Sequence, residues 1–316
     1  MSHTDFTELS DSNDCEKFVN QYLQTFPLRR AEIGQGTVIK RALPSRHKRM
    51  IGAWCFLDHA GPAHFAQGEG LDVGPHPHIG LQTFTWMIEG SMMHGDSLGT
   101  QQLIRPKQVN LMTAGYGITH TEVAPETETQ MHSVQLWIAL PDAQKDMPPQ
   151  FDHYPELPVV EKDQLKWTIL VGEFLATASP VHVHSALLGV DIESQQAASS
   201  QLKLDPTFEY GFLLLEGSAT VNGHELTQDN MIVLDVGVPQ VNLSVGSNSR
   251  IILVGGEPFE SPILLWWNFV GRTQEELAIA REQWVNQDTT RYGQMNNYDG
   301  ARLIAPTFPD RMRASK

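Results

Sequence analysis

Cysteine is nearly absent from this chain, with Cys15 and Cys55 alone among 316 residues. Two thiols in so long a chain build no disulfide framework, and Cys55 sits inside the apolar run "IGAWCFLDHAGP". That usage fits a reduced, cytoplasmic compartment. Long apolar runs are missing too: nothing approaches the 18 or so consecutive apolar residues of a membrane span, so no membrane role is expected. The opening stretch "MSHTDFTELSDSNDCEKF" is polar and acidic, has no apolar core, and does not read as a secretory signal. Basic residues are scarce, 22 Lys and Arg against 37 Asp and Glu, for a net charge of −15. Such a balance offers no basic face to a duplex, which argues against direct nucleic-acid binding. The acidity reads as a solubility feature.

What is present is a rhythm of short strands. Residues 33–140 break into "GTVIKRAL", "GAWCFLDHAG", "LQTFTWMIEG", "QVNLMTAGYG" and "HSVQLWIALP", separated by Gly, Pro, Asn and Asp. Short runs between turn residues predict an all-β sandwich or barrel. The proline-rich, acidic segment 141–158 reads as an extended linker, dividing the chain into 1–158 and 159–316. The second part is again β-rich, and its turn "VNGHEL" carries the hairpin signal Asn222-Gly223. "FTWMIEGSMMHGD" and "GFLLLEGSATVNG" share a layout of apolar strand, Glu-Gly-Ser and turn, which suggests two copies of one β-unit. Helices are few. Thr273 stands three residues before Glu276, a capping box that opens a helix over 273–285, and the chain ends in an extended tail.

The chemistry concentrates in two pairs. In "GPHPHIGLQTFTWMIEG", His76 and His78 lie two apart, and on a strand residues i and i+2 share a face. In "TAGYGITHTEVAP", His120 and Glu122 repeat that spacing, with Gly115 and Gly117 free to make the turn that aims His120 inward. Neighbouring strands would deliver three imidazoles and a carboxylate to one interior. Such a set leaves two positions of an octahedral ion open, the logic of non-haem iron sites with one added imidazole. Iron is expected, with nickel, manganese or copper able to compete. Gln135, alternating with Val134 and Leu136, is a candidate for the pocket beside the ion.

Other residues take plainer readings. His182 and His184 in "PVHVHSALLG" have ligand spacing, yet the matching stretch "DNMIVLDVGVPQVNL" offers no His, Glu or Cys to meet them. A metal needs three or four protein ligands, so these two read as half-exposed residues on an edge strand and the second unit as metal-free. His59, His94, His132, His153 and His224 read as turn, loop or surface residues. Trp86, Trp137, Trp266 and Trp267 read as core anchors.

The motifs "GPHPHIG" and "GYGITH" resemble the two metal motifs of the cupin superfamily. More closely, "RALPS", "GAWCFLDHAGP", "HPHIGLQTFTWMIEG", "MTAGYGITHTE", "VQLWIALP" and "GGEPFESPILLWWNFVGRTQEE" resemble the pirin family, from about residue 35 to beyond 285. The resemblance implies a bicupin: two tandem cupin β-barrels of the double-stranded β-helix type, with a C-terminal helix and tail. It implies one Fe(II) per chain, held in the N-terminal barrel by residues matching His76, His78, His120 and Glu122. It implies quercetin 2,3-dioxygenase activity on an aromatic or enol substrate and O₂, with release of carbon monoxide; in such a site Glu122 is the candidate to accept the substrate's hydroxyl proton. The same resemblance supports an alternative, a redox-sensing protein whose partner is a transcription regulator or a metabolic enzyme. Three positions depart from common patterns. Gln82 replaces the acid of the general cupin motif, and Ile79 and Tyr116 stand where several relatives carry Arg, which removes positive charge from the expected pocket mouth.

Overall fold

A computed structural model describes residues 22–33, 37–312 and 314–315. The acidic N-terminal stretch, with Cys15, lies outside the described residues. The chain enters on strand β1 (Leu23–Pro27) and continues through β2 (Arg29–Ile33), β3 (Thr37–Leu43), β4 (Trp54–His64), β5 (Asp72–His78), β6 (Leu81–Gly90), β7 (Met92–Asp96), β8 (Gln101–Ile104), β9 (Val109–Thr113), β10 (Ile118–Val123), β11 (Gln130–Ala139) and β12 (Gln150–Tyr154). Strands β12-β9-β6-β11-β4-β3-β2 form one antiparallel sheet and β5-β10-β7-β8 a second. Within segment 141–158, expected as a linker, Gln150–Tyr154 is the edge strand of the larger sheet. Phe151 is the reason: it packs into the cluster around Met112, Ala114 and Trp137, and that burial outweighs the flanking prolines.

The second unit repeats this plan. Its larger sheet runs β1, Asn230–Leu234, Glu209–Glu216, Ser249–Gly256, Leu187–Ser194, Leu165–Val171 and Val159–Lys162. Its smaller sheet runs Ala198–Lys203, Gln240–Val245, Ala219–Val221 and His224–Leu226. The order of strands matches the first unit position by position. The two Glu-Gly-Ser stretches fall at the same place, at the ends of β6 and of Glu209–Glu216, and both glycines take positive φ, +76° at Gly90 and +78° at Gly217. One strand crosses over: β1 precedes the first unit in sequence but pairs with Asn230–Leu234 of the second.

The two larger sheets pack back to back. Trp54, Phe84, Trp86 and Leu136 meet Leu213, Met231, Ile252 and Val254 in one apolar layer. Indole N–H groups cross it, Trp54 donating to the carbonyls of Leu188 and Gly255 at 3.1 Å and Trp86 to Asp191 at 3.0 Å. Asp191 is wholly buried and accepts from Arg250 at 3.1 Å. Since this layer takes the apolar face of β6 and β11, their other face is free to carry Thr85, Ser133 and Gln135 toward the first unit's interior.

After the second unit, a short hairpin (Leu264–Trp266 and Phe269–Gly271) leads to helix α1 (Gln274–Val285) and the short α2 (Thr289–Tyr292). The capping box is present, Thr273 Oγ1 accepting from Glu276 N and the Glu276 carboxylate accepting from Thr273 N. The tail then returns across the first unit, Leu303 N donating to Pro75 O at 2.8 Å. None of the described helices is long and apolar enough to cross a membrane.

Candidate metal centre

Strands β5 and β10 run antiparallel with His76 opposite His120, and His78 lies two residues further along β5. The register shifts between His120 and Glu122, so that Glu122 stands opposite Val73. Pro75 falls in that shift, where its missing N–H removes a ladder bond. The interruption leaves Gly74 O free to accept from His76 Nδ1 at 2.9 Å. On the other side of the trio, a bridge between Ile79 and Phe269 brings the C-terminal hairpin alongside, and Asn268 O accepts from His78 Nδ1 at 3.0 Å. Ahead of β10, Gly115 holds φ +51°, and a Cβ there would come within 1.9 Å of Met147 O. Gly117 has no such φ; its need is space, with Arg291 O 2.8 Å from where a Cβ would sit.

The three imidazoles converge. One ring nitrogen from each of His76, His78 and His120 lies within 4.8 Å of the others, and all three residues are buried. A carbonyl can only accept, so Nδ1 of His76 and of His78 carries the proton and Nε2 keeps its lone pair. His120 Nε2 is buried with no hydrogen-bond partner. Burial pushes His76 down to about 4 and holds His78 and His120 well below the usual imidazole range, each disfavoured further by neighbouring histidines. A buried imidazole nitrogen with no partner, set beside two further neutral imidazoles, is costly. A divalent cation removes that cost, and neutral imidazole is the form that binds one. The residues therefore fit a metal.

Glu122 lines the same cavity but stands outside the trio. Burial raises its carboxyl to about 7. The cavity holds about 540 Å³ between the two sheets. Its aromatic wall is Phe56 stacked on Trp137, 4.0 Å apart with 12° between planes, with Arg41 4.4 Å over the Phe56 ring. Arg41 also holds Asp58 at 2.7 and 2.6 Å, though burial keeps the Asp58 carboxyl raised to about 6. Gln135 lines the cavity, its Oε1 accepting from Thr85 Oγ1 at 2.7 Å, which turns its amide N–H groups to the space beyond.

Several expectations need correction. His94 is not in a turn: it lies on β7, buried, with Nε2 3.1 Å from Asp96 Oδ2 and Nδ1 3.4 Å from His120 Nδ1. The i, i+2 spacing of His94 and Asp96 is the signal that exposes the ligand pairs, and the intervening glycine disguises it as a turn. His59 and His132 are not surface residues but a buried pair on β4 and β11, Nε2 to Nε2 at 2.9 Å. His153 sits on β12, Nδ1 to Asn110 Oδ1 at 2.7 Å, whereas His224 is exposed as expected. Trp86 and Trp137 are core anchors, and Trp266 and Trp267 are half-buried against the C-terminal cluster; Trp137 and Trp267 also form part of the cavity wall. Ile79 and Tyr116 do not border this cavity; Ile79 is buried under the C-terminal elements and Tyr116 stacks beneath Arg291 at 4.5 Å. Gln82 donates to Thr113 Oγ1 at 2.9 Å and stays out of the trio.

His182 and His184 lie in a loop rather than on an edge strand, because Val181 and Val183 are drawn into the layer between the units without ladder partners. Their rings are 5.3 Å apart. Among the described residues, His76, His78 and His120 are the single group of three or more with metal-ligand geometry.

Comparison with known proteins agrees with this architecture. The pirin family model matches residues 36–138, and the model of the pirin C-terminal cupin domain matches 189–290. A Pseudomonas aeruginosa protein, named provisionally as a quercetin 2,3-dioxygenase, is 48% identical over 310 residues, 98% of each chain. A pirin-like protein of Caulobacter vibrioides is 37% identical over 267 residues, 82% of this chain and 91% of its own. The crystal structure of a quercetin 2,3-dioxygenase from Acinetobacter baumannii superposes with a TM-score of 0.93 at 68% identity, covering 95% of this chain and all of that one (100%). The Escherichia coli pirin YhhW, solved with nickel(II), shares the fold at 19% identity and a TM-score of 0.59, over 74% of this chain and 100% of its own.

Proposed function

This chain belongs to the pirin family, and on that premise we propose that it is a metal-dependent dioxygenase of the quercetin 2,3-dioxygenase type. The observation that carries the reading is the buried trio of neutral imidazoles, His76, His78 and His120, opening on a cavity with an aromatic wall. The trio would hold one transition-metal ion, Fe(II), through Nε2 of each ring, with Glu122 as the fourth protein ligand. When bound, the ion supplies Lewis acidity and one-electron chemistry toward O₂.

The chain's own residues do the rest. Trp137, backed by Phe56 and set beside His78, gives the cavity an apolar aromatic side for an aromatic substrate. Gln135 presents amide donors to a ring hydroxyl or carbonyl, its orientation fixed by Thr85. Glu122, ionised beside the cation, is the carboxylate in this cavity that can take the enol proton of a flavonol 3-hydroxyl. Ile39, Ala60, Leu71, Met92 and Met131 close the far side and keep water from a carbanion-like intermediate.

The test is anaerobic purification with metal analysis, then O₂ uptake and carbon monoxide release against a panel of flavonols. Wild type should bleach the flavonol and release carbon monoxide in proportion. Glu122→Gln keeps an oxygen at the site but not a base, so metal should be retained while turnover falls by roughly 10²–10⁴. If metal and rate are lost together, Glu122 serves as a ligand alone. If fully iron-loaded protein releases no carbon monoxide from any flavonol, the dioxygenase reading fails and the protein-partner role takes its place.

A further inference from the structure

His94 and Asp96 lie behind the metal trio and no step above uses them. Strand β7 flanks β10 on the side opposite β5, with Asp96 facing His120 and His94 facing Glu122 in the ladder. Both are buried. Asp96 Oδ1 accepts from the backbone N–H of Leu98 at 2.9 Å and of Thr100 at 3.0 Å, which fixes the carboxylate and leaves Oδ2 toward His94. Phe151 from β12 stacks on the His94 ring, 4.4 Å away and 22° from parallel, and holds its plane.

We propose that Asp96 and His94 are positioning residues that set the tautomer of His120, so that its Nε2 offers a lone pair to the ion; this rests on the metal-centre reading above. The argument is a count of protons along one line. An ionised carboxylate only accepts, so His94 Nε2, 3.1 Å from Asp96 Oδ2, must carry the hydrogen. The relay requires a single proton on the His94 ring, which leaves Nδ1 bare. That nitrogen faces His120 Nδ1 at 3.4 Å, a long contact that is attractive only if His120 Nδ1 is the N–H. His120 Nε2 is left as a lone pair, which is the buried atom without a protein partner. His76 and His78 are set by backbone carbonyls, whereas His120 has none and depends on this relay of imidazole and carboxylate.

Asp96→Asn tests the relay with almost no change of shape. The asparagine keeps an oxygen on Leu98 and Thr100 but turns an N–H toward His94, which then must accept there. Its Nδ1 becomes the donor, and His120 is driven to carry its proton on Nε2, facing the ion. Two readouts follow. In metal-free protein labelled with ¹⁵N-histidine, long-range ¹H–¹⁵N correlation should show a bare Nε2 at His120 in wild type and a protonated one in Asp96→Asn. Competition between the folded protein and a chelator for Zn(II) should show affinity weakened roughly 10–100-fold in Asp96→Asn and in His94→Ala. His94→Gln, which can accept from His120 and donate to Asp96, should recover most of that loss. The proposal is overturned if Asp96→Asn leaves the tautomer unchanged and Zn(II) affinity within about twofold, where a 10–100-fold loss is expected. It is overturned equally if His94→Gln binds no better than His94→Ala, since His94 would then only fill space. Should wild type show the stated tautomers but take up no metal, the metal-centre reading fails while the relay stands.

Discussion

Strand β10 and strand Gln240–Val245 hold the same place in their sheets, second of four, each paired on both sides. The first points His120 into its unit; the second points Val241, Leu243 and Val245. Neighbouring strands follow suit, with His76, His78, His94 and Asp96 in one unit and Leu202, Ala219 and Val221 in the other. One plan has thus been filled in two ways. The second interior is filled with apolar side chains, Trp167, Tyr210, Phe212 and their neighbours, and it contributes stability. The first keeps a cavity of about 540 Å³ and lines part of it with polar groups that are tolerable because they bond one another or await a cation. The lesson is that this fold does not specify the chemistry; a handful of inward positions does.

The largest expected contrast comes from one substitution in each unit. His120→Ala should take metal content from about one ion per chain to near zero and abolish the rise in melting temperature on metal addition. That rise reflects about 4 kcal/mol when free ion stands 1,000-fold above its dissociation constant. Leu243→Ala, on the matching strand, should leave metal content untouched and cost about 2–5 kcal/mol of unfolding free energy through the cavity it opens. Metal analysis and thermal melts on both variants read the difference. Equal metal loss in the two would mean that the units are not separate in function.

How far the sequence foretold this contrast depends on whether a signal is local. The same-face placement of His76 and His78 is legible because period-two spacing on a strand is a property of neighbouring residues, whereas the register shift after His120 that leaves Glu122 outside the trio is not. The capping box at Thr273 and Glu276 is legible for the same reason. Strand β7 is not, because Gly95 between His94 and Asp96 imitates a turn until Thr121 and Glu122 are known to pair with it. Strand β12 is hidden by prolines on both sides, and only the burial of Phe151 reveals it. The crossing of β1 to the second unit rests on a pairing more than 200 residues distant, Leu23 with Leu234, and no local pattern encodes that.

A smaller effect is expected at the seam. His59 and His132 share a hydrogen bond at 2.9 Å, and His132 Nδ1 lies 3.9 Å from Glu216 Oε2 of the second unit. Burial, with Lys40 and the partner imidazole adding to it, depresses His59 to about 3; burial and Arg250 depress His132 to about 4. Both values lie below the ordinary 6.5, so between 6.5 and 4 the unfolded chain binds more protons than the folded one. Stability from this pair is complete above about pH 6.5 and is lost as pH falls toward 4. Melting temperature should therefore drop between pH 7 and pH 5, and the double variant His59→Gln/His132→Gln should drop less. An equal drop in both would show that the seam does not sense acid.

The smallest expected effect is no effect, at the pair that most resembles the ligands. His182 and His184 repeat the spacing of His76 and His78, but a loop rather than a ladder carries them, and among the described residues no third donor joins them. Changing both to Ala should leave metal at about one ion per chain and unfolding free energy within about 0.5 kcal/mol of wild type. The measurement is worth making because it probes the comparison where it is most vulnerable. If half the bound metal disappears, the second unit has a site of its own and the contrast between a working interior and a filled one collapses. If metal is unchanged, spacing alone is shown to be insufficient: the same two histidines become ligands only when a neighbouring strand brings a third imidazole to meet them.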